Sequence, residues 1–236
     1  MRILDDAQNK LRAWYQYYPD ASDPNSPYRM ALKARGGATS NVDRDGKVSG
    51  ETLDVIESVL RGSFNMGRQM CDKAEFEQRL ALKLRKEDVR MALSVLRSAS
   101  ISAGNLAAFQ NQVWTLYNEL CAQGPGGLSA REDAFCVGAT KIMHFLFPEF
   151  LVMLDKWAAN GIGYKKYNNL EAYWAVLKLC KAELGEWRVR YGTLDTLQEL
   201  DVPPTTPTRV FDKCAFVMGH PDLRRVYEVW DCNKVV

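Results

Sequence analysis

The sequence predicts an all-α fold, built as one compact helical domain of residues 1–236 or as two helical lobes. Apolar residues recur with the period of a helix, in sets that begin at Leu53, Val89 and Leu106. No run of alternating polar and apolar residues predicts a strand. The 236 residues are 47% hydrophobic and 25% charged, the composition of a globular protein that buries its own core.

In the first half of the chain, we expect one helix, then a long loop, and then a series of further helices. The first predicted helix covers residues 3–18, which place their apolar side chains on one side. Residues 19–41 are rich in Pro, Ser, Asp, Asn and Gly and predict a long loop, with a short helix at 28–34. The glycines and proline of residues 124–127 end the helical series that follows.

Polar residues mark the starts of the later helices. Ser129 and Asn168 each have a glutamate three residues later, which is the form of a capping box. Thr206 stands directly before a proline, the arrangement of an N-cap followed by the first helical residue. Because a glycine follows at the other end, this pattern predicts a helix over residues 207–218.

Composition and charge exclude several classes of protein. The net charge is +2 and the pI about 8.2, below the range that indicates nucleic-acid binding by itself, so only local basic clusters carry that signal. The six cysteines form no C-x-x-C pair. The chain shows no secretory signal, and its apolar runs are too short to span a membrane. We expect a cytoplasmic protein without a membrane span, a bound cofactor or a metal.

A turn of small residues lies in the segment that indicates a chemical function. Val137, Gly138 and Ala139 are predicted to break a helix that starts near Ser129, and a second helix starts near Thr140. Such a turn points free backbone N–H groups outward, where they bind a phosphate. The residues from Val137 to Thr140 are therefore candidate phosphate contacts.

Two side chains close to this turn carry groups suited to catalysis. Lys141 follows the turn directly, where its amine would reach a bound anion or act as a nucleophile. An apolar loop then leads to Asp155, a candidate for proton transfer. The alternative for this aspartate is the N-cap of the next helix.

These residues resemble the helix-hairpin-helix DNA glycosylase superfamily, over residues 129–157. The turn, the lysine, an apolar helix, a proline-containing loop and the aspartate follow in the order of the 8-oxoguanine DNA glycosylase/lyase branch. The resemblance implies a helix-hairpin-helix core at residues 129–160, in which Gly138 is the hairpin glycine at a DNA phosphate. It also implies that Lys141 attacks the sugar C1′ of a flipped-out nucleotide and that Asp155 assists.

The resemblance implies a DNA glycosylase/lyase that acts on a damaged or modified base, with duplex DNA as its partner. Lys165 and Lys166 would contact the DNA. Candidate residues of the base pocket are His144, Phe145, Trp157 and Tyr164. The alternatives are core positions for these four side chains, and a non-catalytic protein of the same fold that binds DNA or a protein.

Residues 41–52 carry a competing signal, a calcium loop of the EF-hand kind, which would make the chain a calcium-tuned interaction module. The candidate ligands are Asn41, Asp43, Asp45 and Ser49. Thr52 occupies the last position, where such loops need a glutamate or an aspartate. The alternative is an Asx-type turn that caps a helix starting near Ser49.

Overall fold

The computed structural model describes residues 2–18, 40–131, 134–201 and 205–232, and within them the fold is all-α, as predicted. The predicted loop at residues 19–41, with its short helix, lies outside the described residues except for its last two positions. None of the described helices combines the length and the apolar composition that a bilayer crossing requires.

The chain divides into two compact units. The terminal unit comprises residues 1–24 and 152–236, and the central unit comprises residues 25–151. A 3₁₀ helix, Leu106–Phe109, accompanies the α-helices of the described residues. These are α1 (Ala7–Tyr17), α2 (Gly50–Arg61), α3 (Lys73–Arg85), α4 (Glu87–Leu96), α5 (Gln110–Cys121), α6 (Cys136–Leu146), α7 (Lys156–Gly161), α8 (Leu170–Tyr191), α9 (Asp195–Gln198), α10 (Pro207–Gly219) and α11 (Pro221–Cys232).

Helix starts in the terminal unit follow the polar residues of the sequence closely. Thr206 caps α10, because its hydroxyl accepts from the N–H of Arg209 at 3.3 Å. Asn169, one residue after the predicted Asn168, caps α8 through the N–H of Ala172 at 2.8 Å. The predicted helix over 207–218 is thereby confirmed to within one residue.

The chain ahead of α1 is held by two buried charged side chains, so the first helix starts at Ala7 and not at residue 3. The amine of Lys10 donates to the carbonyls of Ile3 (2.9 Å) and Asp5 (2.5 Å). The carboxylate of Glu183 accepts from the N–H of Ile3 at 3.1 Å. Burial lowers the pKa of Lys10. Because side chains satisfy these backbone groups, the segment needs no helical hydrogen bonds of its own.

Two glycines allow α7 and α10 to approach at backbone contact within the terminal unit. Gly161 is the last residue of α7, and a Cβ atom there would overlap the carbonyl oxygen of Ala215. Gly219 is the last residue of α10, and a Cβ atom there would overlap the carbonyl oxygen of Trp157. This crossing positions the start of α7, where Asp155 lies.

The predicted break at Val137, Gly138 and Ala139 is wrong, because α6 includes all three residues. Its first main-chain bond runs from the N–H of Ala139 to the carbonyl of Phe135 at 2.7 Å. A Cβ atom on Gly138 would overlap the ring of Phe135. The small residue therefore makes room for an aromatic ring beside the helix and does not form a turn.

Ser129 does not begin a helix, which corrects a second expectation for this segment. It forms an isolated antiparallel bridge with Met70, and its hydroxyl accepts from the N–H of Arg131 at 3.2 Å. Its expected capping partner, Glu132, lies outside the described residues. In the described part of residues 129–135, no helix precedes α6.

Candidate functional site

Lys141 lies on α6 in the central unit and is only 6% exposed. Its Nζ atom lies 4.2 Å from the ring centroid of Phe64, a residue that is itself half-buried. A lysine amine is rarely buried, because it loses hydration. The negative face of an aromatic ring attracts the amine's positive charge and so compensates for part of the lost hydration energy. The structure therefore places the predicted nucleophile against an aromatic ring.

The two neighbouring pocket candidates on α6 occupy core positions. His144 is fully buried, and its Nδ1 lies 2.7 Å from the carbonyl oxygen of Leu151, to which it donates as the Nδ1-protonated tautomer. Phe145 is also fully buried and meets Phe64 edge-on, with ring centroids 6.2 Å apart. Both side chains therefore occupy core positions, which was the alternative to a base pocket in the sequence analysis.

The four candidate phosphate contacts form the first turns of α6. Val137 is half-buried, whereas Gly138, Ala139 and Thr140 are buried. The hydroxyl of Thr140 donates to the carbonyl of Val137 at 2.9 Å, inside the helix. No side chain among the described residues caps this helix. The positive end of the helix dipole is the part of this segment that suits an anion.

Asp155 lies in the terminal unit and caps α7, as the alternative interpretation predicted. Its Oδ1 atom accepts from the N–H groups of Trp157 (2.9 Å) and Ala158 (3.0 Å). The side chain is half-buried. Lys141 and Asp155, which the sequence puts 14 positions apart, belong to different compact units.

The remaining candidates of the terminal unit stay at or near its surface. Trp157 is half-buried, with its ring 4.8 Å from that of His220 and the amine of Lys156 4.7 Å above it. Tyr164 is also half-buried. The basic pair, Lys165 and Lys166, is exposed just before α8.

No family model, curated protein or solved structure matches the chain. Any functional assignment therefore rests on the resemblance of residues 129–157 and on the geometry of these side chains.

The calcium-loop residues are engaged in local hydrogen bonds of the Asx-turn kind. The carboxylate of Asp43 accepts from the N–H groups of Asp45 (2.9 Å) and Lys47 (2.7 Å). The hydroxyl of Ser49 caps α2, and the amide of Asn41 donates to a carbonyl of α6 at 2.5 Å. The described residues contain no cluster of three His, Cys, Asp or Glu side chains suited to a metal.

Two buried ion pairs in the terminal unit were not predicted from the sequence. Lys213 lies 2.8 Å from both carboxylate oxygens of Asp201, and Tyr15 hydrogen-bonds to both side chains. Arg209 donates to both oxygens of Asp212, at 2.7 and 2.8 Å. Three of these charges lie at i, i+3 and i+4 on the apolar helix α10. That spacing within an apolar pattern was the signal available in the sequence.

Asp212 makes the stability of the terminal unit depend on pH. Burial raises the pKa of Asp212 from 3.8 to about 6, although Arg209 opposes the shift. Between about pH 4 and pH 6 the folded carboxyl therefore keeps a proton that the unfolded one loses. We expect the unfolding free energy to fall as the pH rises through this window, by on the order of 3 kcal/mol from this group.

Urea unfolding at pH 4, 5 and 6 measures this contribution as the difference between the native chain and Asp212→Asn. The asparagine keeps an oxygen that accepts from Arg209 but does not titrate in this range. The native chain should lose stability relative to the variant as the pH rises. A difference that stays constant over the three pH values would contradict the prediction.

Proposed function

We propose that the chain is a DNA glycosylase/lyase-like protein, in which Lys141 attacks the sugar C1′ of a nucleotide flipped out of duplex DNA. The observation that carries the proposal is the buried amine of Lys141 on α6, 4.2 Å from the Phe64 ring centroid. It lies in the segment that resembles the glycosylase family. Desolvation by burial is one of the ways in which proteins prepare a lysine for nucleophilic attack.

The reaction is a substitution at C1′. The lone pair of the neutral amine forms the new C1′–N bond, and the glycosidic bond breaks with its electron pair on the leaving base, which takes up a proton. The nitrogen then loses one proton, and the sugar ring opens as its oxygen leaves C1′ and takes up a proton. The product is an iminium between Lys141 and C1′ that keeps the other N–H. By the resemblance, the N-terminal end of α6 lies next to a DNA phosphate, whose negative charge the helix dipole favours.

Borohydride trapping tests this proposal, because hydride reduces the iminium to a stable amine. We expect a covalent adduct between the native chain and a duplex that contains an abasic site or 8-oxoguanine. The adduct should be absent with Lys141→Ala. The matched control is Lys83→Ala, which removes another buried lysine of the central unit, one that pairs with Glu119 at 3.1 Å. No adduct with the native chain, or an adduct that survives Lys141→Ala, would refute the proposal.

Asp155 enters the proposal through the resemblance, and Asp155→Asn measures its role separately. Asparagine is as good an N-cap as aspartate, so α7 and the thermal stability of the protein should be retained. If the charge of Asp155 supports the reaction, trapping should slow by roughly 10²-fold or more. An unchanged trapping rate would restrict Asp155 to capping.

A second candidate is a protein of the same fold that binds DNA or a protein without chemistry. The observation that favours it is the burial of Gly138, Ala139 and Thr140 together with the exposure of Lys165 and Lys166. A DNA-binding protein would retard duplex DNA in a salt-dependent way, with loss of affinity in Lys165→Ala/Lys166→Ala, and form no adduct. A module for a protein partner would not retard DNA at all.

A further inference from the structure

A disulfide joins two helix ends in the central unit. Cys121 is the last residue of α5 and Cys136 is the first residue of α6, 15 positions later. Their sulfur atoms are bonded, and their Cα atoms lie 4.8 Å apart. The bond closes the loop that contains the glycines of residues 124–127. No short-spacing motif in the sequence marks this pair of cysteines.

The two sulfur atoms experience opposite helix dipoles. Cys136 is at the positive N-terminal end of α6, where N–H groups stabilise a thiolate. Cys121 is at the negative C-terminal end of α5, where a thiolate is disfavoured. In thiol–disulfide exchange, the sulfur with the more stable thiolate leaves faster. This difference makes Cys136 the better leaving group.

Access favours the same direction of attack. Cys121 is half-buried, whereas Cys136 is 5% exposed. A thiolate must approach the sulfur that it attacks along the S–S axis, so the more accessible sulfur reacts. Accessibility and leaving-group stability therefore favour the same reaction, in which a thiolate attacks the sulfur of Cys121 and Cys136 is released.

Three further cysteines, whose side chains the structure describes, are poor competitors for the exchange. Cys71, Cys180 and Cys214 are all buried. Burial raises the pKa of each of the three thiols, and that of Cys214 reaches about 12. Since the thiolate is the reactive form, these residues should stay inert while the disulfide exchanges.

We propose that Cys121 and Cys136 form a thiol–disulfide exchange site for a small thiol such as glutathione. The glutathione thiolate bonds to the sulfur of Cys121, and the electron pair of the broken S–S bond leaves on Cys136. A second glutathione thiolate then attacks the glutathione sulfur of the mixed disulfide and releases Cys121. The protein ends with two thiols after uptake of two protons, and two glutathiones have become one glutathione disulfide.

Peptide mapping after brief exposure to reduced glutathione and N-ethylmaleimide tests the direction of exchange. The oxidised full chain should first weigh two hydrogens less than the reduced chain. We expect glutathione on Cys121 and maleimide on Cys136 in the same molecules, with the same result in the control variant Cys214→Ser. Glutathione on Cys136 would overturn the assigned direction. Absence of the two-hydrogen difference, or of any adduct, would overturn the site.

Thermal melting provides a readout that does not depend on the adduct. Closing a loop of 15 residues restricts the unfolded chain, so we expect reduction to lower the melting temperature, on the order of 10 °C. Cys121→Ser should melt at the reduced temperature with or without glutathione. A native chain that melts at one temperature in both states would contradict a disulfide at this position.

Discussion

Replacing Gly161 or Gly219 by alanine is expected to destabilise the terminal unit by about 3 kcal/mol or more, the upper end of what overpacking costs. In each case the new Cβ atom overlaps a backbone carbonyl oxygen of the other helix, that of Ala215 or Trp157. A backbone atom has no rotamer by which to move away, so α7 and α10 must separate. The two helices pack closely at this crossing, and their separation exposes buried side chains of both.

The matched control is Gly185→Ala, in the interior of α8. A Cβ atom at Gly185 meets nothing within 4 Å, so alanine only restricts the unfolded chain and should stabilise the protein by about 0.5–1 kcal/mol. Urea unfolding followed by tryptophan fluorescence reports mainly on the terminal unit. Five of the six tryptophans belong to that unit, and only Trp114 lies in residues 25–151. Alanine variants of Gly161 and Gly219 that are as stable as Gly185→Ala would show that the close crossing does not exist.

Replacing Lys213 by methionine is expected to cost about 3–5 kcal/mol of unfolding free energy. The carboxylate of Asp201 is completely buried, and Lys213 lies 2.8 Å from both of its oxygens. Methionine fills much of the volume of the lysine stem, so packing changes little. The cost comes from a buried negative charge that has lost its cation and keeps only the hydroxyl of Tyr15 among the partners described above.

Two further variants separate the charge from the packing. Lys213→Met/Asp201→Asn leaves no charge in the pair and should regain a large part of the lost stability. Arg224→Ala breaks an exposed ion pair with Glu228, at 2.7 Å, and should leave the unfolding free energy nearly unchanged. If the double variant is no more stable than Lys213→Met, the loss reflects packing and the buried pair is not its cause.

Local features of the fold were predictable because a few adjacent residues decide them. Thr206 before a proline marks the start of α10, since a hydroxyl and a fixed φ angle act within one turn. Asp155 caps α7 by the same short-range chemistry. In the candidate site, the sequence picked out Lys141 by its place after small residues. The burial of that lysine beside Phe64, 77 positions earlier, follows from packing that no local pattern encodes.

Where the prediction failed, side-chain contacts accompany a backbone conformation that the local pattern did not predict. Gly138 is a turn former by itself, yet the ring of Phe135 occupies the space beside it and the backbone continues as a helix. Residues 3–5 have helical periodicity, but Lys10 and Glu183 satisfy their backbone groups in another conformation. The contact with Glu183, 180 positions from Ile3, forms only after α8 has packed beside this segment.

The amino-acid sequence determined the helical class, most helix positions and the side chains that cap them, because hydrophobic period and capping act over a few residues. Tertiary structure alone decided which charges are buried together, which cysteines bond and which glycines lie against another helix. Most of those pairings join residues more than one helical turn apart, and the exception, Arg209 with Asp212, depends on the burial of α10. They depend on how the helices pack, and no local pattern of residues encodes that packing.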